Sequence, residues 1–386
     1  DGRYTGIRMC NQLLENIDRV PDLDPELKKR YIGEAKVLRA YSYYELYTKF
    51  GDIPYTTKVL SIKESMSIAR TAKATVIANV LADLDEVING NYLPTSYDAD
   101  NKGRITRWAA MAIKAKIYLF EGNWTQVKNI TSTIMTEGGF KLFGSYAGLF
   151  EIANEYNSEV ILDAQYRPTS REHQMMYVFL PPTLGGYSQL SPLQELVDSY
   201  IMLDGKTIKE TGTSFDESHP YANRDPRLKA TVMYTGNSYT LADGTEVVIN
   251  CEKGEGKDGY GVGSDCSATG YYIKKYWDNT YRATLYSGLN PILIRYADIL
   301  LMNAEALAEL GELDKTAWDA TIKPIRDRAG FTLASALEFP EGASKDKLIE
   351  IVRNERRSEL ALEGHRHKDI IRWRIADLSL IHISEP

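Results

Sequence analysis

Ala297–Gly311, with the sequence ADILLMNAEALAELG, decides the fold expected for this chain. Its apolar side chains recur at i, i+3, i+4, i+7 and i+11 and stop at a glycine, which predicts an amphipathic helix that ends at Gly311. The positions concerned are Ala297, Leu300, Leu301, Ala304 and Ala308. A second helical pattern covers about 314–329 and ends at Gly330. The two segments therefore predict a helical hairpin.

The same arrangement occurs in the first third of the chain. Ala115 lies seven residues before Gly122, just as Ala304 lies seven residues before Gly311. This spacing places a small residue where two helices cross and a glycine where the first helix ends, which is typical of tetratricopeptide-type helix pairs. Other helical patterns end at Gly51, Gly90 and Gly138. Residues 1–139 are thus predicted to form a row of helical hairpins.

The middle of the chain has a different composition. Partly alternating segments predict short strands within 159–166, 231–234, 245–250 and 271–277. Between them lie long polar loops, notably the glycine-rich segment 252–270, and loops of that length are often functional. The predicted fold is therefore mainly α, a tetratricopeptide-like helix-pair scaffold with a loop-rich, partly β insertion. The predicted parts are an N-terminal helical part (1–139), a ligand-binding insertion (140–290), C-terminal helices (291–375) and an atypical tail (376–386).

Composition excludes several classes of protein. The chain has 386 residues and a formal net charge of −7, whereas a nucleic-acid-binding domain is usually basic. No apolar run approaches the roughly 20 residues that span a bilayer. Three cysteines cannot form a disulfide framework. Cys251 and Cys266 bracket the long loop, and the sequence leaves open whether they pair; Cys10 is expected to be buried in a helix.

Charged residues near the C-terminus indicate a structural network. Glu355, Glu359 and Glu363 share a helical stripe with apolar residues, so they are expected to point inward and to need cationic partners. The candidate partners are Arg295, Arg356, Arg357, Arg366 and Arg372. A catalytic carboxylate pair is the disfavoured alternative. His365 and His367 lack a recognised ligand spacing, so no metal site is predicted.

Aromatic residues give the candidate ligand contacts. The chain has 26 tyrosines against 9 phenylalanines and 5 tryptophans. An exposed aromatic ring stacks on the C–H face of a sugar while polar neighbours bind its hydroxyls. The predicted contacts lie in loops and at one strand end: Tyr187, Tyr260, Tyr271, Trp277, Asn279 and Tyr281. Core packing is the alternative role for each of these rings.

Several longer segments resemble one known family. They occur in the family's order: EAKVLRAYSYYELYTKFGDIPY (Glu34–Tyr55), GRITRWAAMAIKAKIYLFEGNW (Gly103–Trp124), SEVILDAQY (Ser158–Tyr166), SPLQELVDSYIMLDGK (Ser191–Lys206), YANRDPRLKATVMY (Tyr221–Tyr234), YYIKKYW (Tyr271–Trp277), ILIRYADILLMNAEALAELG (Ile292–Gly311) and VRNERRSELALEGHRHKDIIRW (Val352–Trp373). Together they resemble the SusD/RagB family of outer-membrane nutrient-binding lipoproteins over most of the chain.

The resemblance implies a function without catalysis. It implies that the protein binds oligosaccharides or polysaccharides at the cell surface and delivers them to a TonB-dependent, SusC-like transporter, with no cofactor and no catalytic residue. It also implies an N-terminal lipid anchor on a cysteine that should precede Asp1. The ending implied by the family differs from the sequence found here after Trp373. The chain is therefore expected to be truncated at both ends. Two other functions remain open: a peptide- or protein-binding helical scaffold, and a glycoside hydrolase, which would need two carboxylates about 5–10 Å apart.

Overall fold

A computed structural model describes residues 2–280 and 284–376. The chain divides into two compact units, one formed by the described residues of Asp1–Gly139 and His367–Pro386, and one formed by those of Phe140–Arg366. Each unit is described separately below. The four-part division at residues 139, 290 and 375 stays a prediction.

The first unit is a succession of packed helices. They are α1 (Gly2–Asn16), α2 (Pro25–Phe50), α3 (Ile62–Ser67), α4 (Lys73–Asn89), α5 (Arg107–Phe120) and α6 (Trp124–Glu137). Two short strands, β1 (Ile53–Pro54) and β2 (Arg70–Thr71), pair antiparallel. Helix α1 packs on α2, α2 on α4, α4 on α5 and α5 on α6. This order confirms the predicted row of helical hairpins.

The second unit combines loops, short strands and helices. Its helices are α7 (Met175–Phe179), α8 (Gln194–Ser199), α9 (Pro226–Thr231), α10 (Tyr296–Leu310), α11 (Lys315–Ala329), α12 (Ala334–Leu337) and α13 (Lys345–Glu359). Its strands are β3 (Val160–Asp163), β4 (Val232–Met233), β5 (Ser238–Thr240), β6 (Glu246–Val248), β7 (Tyr272–Ile273) and β8 (Ile292–Arg295). They form three antiparallel pairs, β3–β8, β4–β7 and β5–β6. A last helix, α14 (Arg366–Trp373), belongs from His367 onward to the first unit.

The paired Ala and Gly positions have the predicted roles. Ala115 and Ala304 are completely buried, and they lie on helices α5 and α10, which pack on their successors α6 and α11. Gly122 (φ +72°) and Gly311 (φ +75°) adopt the left-handed conformation that ends a helix at low steric cost. Among the described helices, none combines the length and the apolarity that a membrane crossing requires.

The predicted strand over 271–277 is shorter in the structure. Only Tyr272 and Ile273 pair with β4. The next two amides, of Lys274 and Lys275, both donate to the carbonyl oxygen of Thr231, at 2.9 and 3.2 Å, and Tyr276 has a φ of +65°. The chain therefore turns after Ile273, and the alternation of faces expected of a strand is lost.

The three inward glutamates are confirmed as members of a buried ionic network. Glu355, Glu359 and Glu363 have side chains no more than 1% exposed. Arg295 pairs with Glu359 at 2.6 Å (Nη1 to Oε1) and with Glu363 at 2.8 Å (Nε to Oε2). Arg227 pairs with Glu355 at 2.6 Å and with Glu359 at 2.9 Å. These contacts join α9, β8 and α13 into one core.

Several other partners differ from the expectation. Arg356 pairs with Asp298 at 2.6 Å, Arg357 lies 3.8 Å from Glu195, and Arg372 pairs with Asp369. The further cations of the network, which the sequence did not indicate, are Arg227, Arg326, Arg328 and Lys275. They come from segments far from α13 along the chain, so no local spacing marks them.

Candidate functional site

A half-buried and an exposed tyrosine of the second unit lie ring against ring. Tyr177 is on the short helix α7, and Tyr187 is on the turn that follows. The Tyr187 amide donates to the carbonyl oxygen of Tyr177 at 2.9 Å, which fixes the two segments side by side. Their ring centroids are 4.4 Å apart with a tilt of 37°, and Tyr187 remains 38% exposed. The pair thus forms one aromatic patch, which is exposed at Tyr187 and half-buried at Tyr177.

Two glycines place Tyr187 at this position. Gly185 has a φ of +83°, and Gly186 lies so close to the chain that a Cβ there would be 2.1 Å from the carbonyl oxygen of Leu180. No side chain fits at that distance. The Gly–Gly sequence is therefore required for the turn that brings Tyr187 onto Tyr177.

A third tyrosine comes from a distant segment. His173 and Ser287 exchange two backbone hydrogen bonds of 2.9 Å, and this bridge places Tyr286, which is 39% exposed, near α7. The pKa of Tyr177 is raised, first by its interaction with the Tyr187 hydroxyl and also by its proximity to Asp265 and Tyr286. We call Tyr177, Tyr187 and Tyr286 the tyrosine platform.

The long loop 252–270 is tied to the same turn. The Asp258 carboxylate accepts hydrogen bonds from the amide and the hydroxyl of Thr183, at 2.8 and 2.5 Å. The Tyr272 hydroxyl donates to the Asp258 carbonyl at 2.6 Å and accepts from the Ser267 amide at 3.1 Å, so it joins both arms of the loop. Tyr260, two residues after Asp258, is 42% exposed. The loop is thus held in place by hydrogen bonds within the protein.

A separate cleft of about 370 Å³ is present in the second unit. Trp277 and Asn279 line it, together with Glu151, Thr240 and Tyr276. The Trp277 ring is half-buried, and its Nε1 donates to the Thr240 carbonyl at 2.8 Å. Because the indole N–H is already bonded, the ring offers the cleft mainly apolar surface.

Three lysines also line this cleft. Lys229 is exposed, Lys274 is half-buried and Lys275 is buried. Burial lowers the pKa of Lys274, and the positive charge of Lys229 lowers it further. The Lys275 ammonium is paired with Glu363 at 2.7 Å, so Lys229 and Lys274 carry the cleft's unpaired positive charge within the part of the chain that the structure describes.

The structure distributes the predicted contact residues over several places. Tyr187 is in the tyrosine platform, Tyr260 is on the tied loop, and Trp277 and Asn279 line the cleft. Tyr281 lies outside the residues that the structure describes.

Tyr271 lies in the core rather than on the surface. It is 7% exposed and packs with Val197, Tyr200, Leu228 and Val232. Its hydroxyl donates to the side-chain oxygen of Gln194 at 2.7 Å. The ring is therefore enclosed, because the residue immediately before β7 packs against α8 and α9.

Four residues of these two surfaces escaped the sequence analysis. Tyr177 and Tyr286 complete the platform, and Lys229 and Lys274 give the cleft its charge. Tyr177 precedes the glycine turn by only eight residues, which is a usable local signal. Lys274 precedes Trp277 by three residues, which is a local signal as well. Tyr286 and Lys229 have none, since their neighbours in these surfaces come from remote segments.

The two cysteines that bracket the loop are free in the structure. Cys251 is buried, and burial raises the pKa of its thiol to about 12. The Cys266 thiol donates to the Lys257 carbonyl at 3.2 Å. Within residues 2–280 and 284–376, no group of three or more His, Cys, Asp and Glu side chains is placed to hold a metal ion.

Comparison with known families matches most of the chain. Residues 149–383 match the model of the SusD family. Residues 1–119 match a second model, SusD-like, described as starch-binding associating with outer membrane.

Individual relatives agree with these matches. SusD-like protein P25 of Formosa agariphila is 28% identical over 396 residues, which cover 96% of this chain and 69% of the relative. A crystal structure of a SusD-like carbohydrate-binding protein from Bacteroides fragilis has a TM-score of 0.86 and 29% identity, and covers 97% of this chain and 72% of that chain. A laminarin-binding SusD-like protein has a TM-score of 0.71 and 25% identity, and covers 100% of this chain and 79% of that chain.

Proposed function

The chain belongs to the SusD family, and from this premise we propose that it binds oligosaccharides or polysaccharides without catalysing a reaction on them. The observation that carries the proposal is the tyrosine platform, in which the rings of Tyr177 and Tyr187 lie 4.4 Å apart on the surface of the second unit. A sugar ring offers apolar C–H faces to such rings and hydroxyls to their phenol groups.

Polar groups around the platform suit this ligand class. Asp265 lies close enough to Tyr177 to raise the pKa of its hydroxyl, and Gln189 is exposed two residues after Tyr187. Carboxylate and amide groups hydrogen-bond to sugar hydroxyls. The platform therefore combines stacking surface with hydrogen-bonding groups.

The three buried glutamates of the ionic network are unsuited to glycoside hydrolysis. Glu355, Glu359 and Glu363 all form ion pairs with arginine or lysine, and their side chains are closed to solvent. Hydrolysis of a glycosidic bond needs an acid and a base or nucleophile that reach the substrate. These three glutamates do not meet that condition.

We further propose an outer-membrane location, through an N-terminal lipid anchor, and delivery of the bound glycan to a TonB-dependent, SusC-like transporter. Membership of the SusD family and the description of the second family model support this part. It is tested by purifying the protein from outer membranes of cells that make it at natural levels. A TonB-dependent transporter should co-purify with it, and its absence after crosslinking would count against the partnership.

Native affinity electrophoresis tests the binding function. The protein is run through gels that contain starch, laminarin and a panel of plant and host polysaccharides. We expect retardation by at least one polymer, and reduced retardation for Tyr187→Ala and Tyr177→Ala. Stacking of a sugar on one aromatic ring is worth about 1 kcal/mol or more. Each variant should therefore bind the polymer at least about fivefold more weakly than the wild type.

Phe50→Ala is the matched control, because Phe50 is an aromatic residue 60% exposed on the first unit. It should migrate as the wild type does. Free migration of the folded wild-type protein in every gel would reject glycan binding. Retardation that persists unchanged in both tyrosine variants would reject the platform as its site.

A further inference from the structure

The cleft beside Trp277 differs from the tyrosine platform in its charge. Lys229 and Lys274 both line it, and in the part of the chain that the structure describes neither ammonium group has a carboxylate within salt-bridge distance. Lys274 Nζ donates to the Asn237 side-chain oxygen at 3.0 Å. The amide of the same Asn237 side chain donates to the Lys229 carbonyl at 3.0 Å. One asparagine thus holds the two lysine segments together.

Two carboxylates lie near these lysines without pairing with them. Glu246 accepts hydrogen bonds from the hydroxyls of Ser238 and Thr240, the latter at 2.6 Å. Glu151 lines the cleft from its exposed side and accepts from the Asn154 amide at 3.3 Å. The Glu246 charge acts on both lysines, but Glu246 is not among the residues that line the cleft. Apart from the Lys275–Glu363 pair, the lining itself therefore carries Lys229 and Lys274 against one carboxylate, Glu151. Two ammonium groups that lie near each other form a favourable site for an anion.

The remaining lining suits a sugar ring. The Trp277 indole presents apolar surface, since its N–H bonds to the Thr240 carbonyl, and Asn279 is exposed at the cleft. A cavity of about 370 Å³ is within the range that encloses small ligands. Apolar ring surface beside two ammonium groups matches a sugar that carries an acidic group.

We propose that this cleft is a second glycan subsite, selective for an acidic sugar unit whose carboxylate or sulfate lies between Lys229 and Lys274 and whose ring packs on Trp277. The proposal rests on the glycan binding proposed above and adds the charge of the ligand. Both a carboxylate and a sulfate can pair with a lysine ammonium group, so the experiment is designed to distinguish these two acidic groups.

The test uses two matched pairs of ligands. Polygalacturonate and its methyl ester differ only in the free carboxylate, and dextran sulfate and dextran differ only in the sulfate ester. Binding is measured by titration calorimetry at low salt. The acidic member of at least one pair should bind about tenfold more tightly than its neutral partner, and this advantage should shrink as salt is added. The pair that shows it identifies the acidic group.

Variants locate the effect. Lys229→Gln combined with Lys274→Gln should abolish the advantage of the acidic ligand, and the single Lys229→Gln, at an exposed position, should reduce it by about threefold or more without a change in melting temperature. Trp277→Ala should weaken the acidic ligand as well. The control is Lys206→Gln combined with Lys347→Gln, which removes the same charge from a different cleft of the second unit and should preserve the advantage.

Several outcomes would overturn the subsite. Equal binding of acidic and neutral partners would do so, as would failure of both pairs to bind, or an equal loss in the control variant. If a neutral polysaccharide is still retained through Tyr187 while no acidic preference exists, the subsite is rejected and the platform stands. If no glycan of any kind is retained, the proposed function itself is rejected.

Discussion

Lys275 Nζ lies 2.7 Å from Oε1 of Glu363, and both side chains are enclosed in the core of the second unit. Lys275 also lines the cleft beside Trp277. Glu363 in turn accepts a hydrogen bond from Arg295, which also forms an ion pair with Glu359. The wall of the cleft is therefore attached to the ionic core, and its position depends on the charge of a buried carboxylate.

Acid is expected to weaken the second unit as Glu363 loses its charge. Burial alone would raise the pKa of this carboxyl, but Arg295 and Lys275 outweigh burial and lower the pKa to about 2. The pKa of an unfolded glutamate is about 4.3, so the stabilisation is complete above that pH and is lost as the pH falls towards 2. Glu363→Gln should therefore lower the free energy of unfolding most at neutral pH, and the difference from wild type should shrink below about pH 4.

Urea unfolding followed by tryptophan fluorescence, from neutral pH down to about pH 3, measures this difference. Glu350→Gln is the control, because Glu350 lies on α13, the helix before Glu363, with a side chain 62% exposed. It should change stability by less than about 0.5 kcal/mol. A gap between wild type and Glu363→Gln that stays constant across the pH range would contradict the assignment.

Glu359 is the most connected carboxylate of the core. It accepts hydrogen bonds from Arg295 and Arg227, at 2.6 and 2.9 Å, and pairs with Arg328. Glu359→Ala would remove one carboxylate partner from each of these three buried arginines at once, so it should cost about 3–5 kcal/mol of unfolding free energy. Calorimetric melting gives the measurement, and an unchanged melting temperature would mean that the network does not stabilise the fold.

The helical scaffold could be predicted because its signals are local. The spacing of Ala304 and Gly311 lies within one helix and its cap. Glu355 and Glu359 share one stripe of α13, and Glu363 lies in the turn that follows the helix. The arginine partners of these glutamates could not be predicted in the same way. Arg227 is 128 residues from Glu355, and only the folded chain brings them together. Long-range pairs of this kind leave no periodic trace in the sequence.

The candidate site shows the same limit. Tyr187 could be selected as a loop aromatic after two glycines, and Trp277 and Asn279 by their polar and aromatic surroundings. Tyr271 could not be distinguished from an exposed ring, because Tyr271 and its neighbour Tyr272 are both buried, in different core clusters, so alternation does not separate an inner from an outer face here. Type and spacing thus suggest which rings are candidates, whereas exposure depends on turns that tertiary contacts impose.

Asp258 should control the order of the 252–270 loop. Its carboxylate accepts two hydrogen bonds from Thr183, so Asp258→Ala should free the loop and leave the Thr183 groups without their partner, at a cost of about 1–3 kcal/mol. Limited proteolysis should then cut within 252–270 faster than in wild type. Glu255→Ala, at an exposed position of the same loop, should leave the cleavage rate unchanged.

The same assay tests whether a metal ion orders this loop. Since Asp258 is satisfied by Thr183, a chelator should not change the cleavage rate of the wild-type loop. Faster cleavage after chelation would show that a bound cation, rather than these hydrogen bonds, holds the loop.

Gly186→Ala should test whether glycan binding depends on the position of Tyr187 and not only on the presence of its side chain. The added Cβ would lie 2.1 Å from the carbonyl oxygen of Leu180, so the turn must move, and Tyr187 with it. We expect glycan retention to fall about as far as it does in Tyr187→Ala, although every tyrosine is still present, and stability to fall by about 1–3 kcal/mol. Gly144→Ala is the control, because a Cβ there meets nothing within 4 Å. Full retention by a folded Gly186→Ala protein would mean that the position of Tyr187 on Tyr177 is not what the ligand requires.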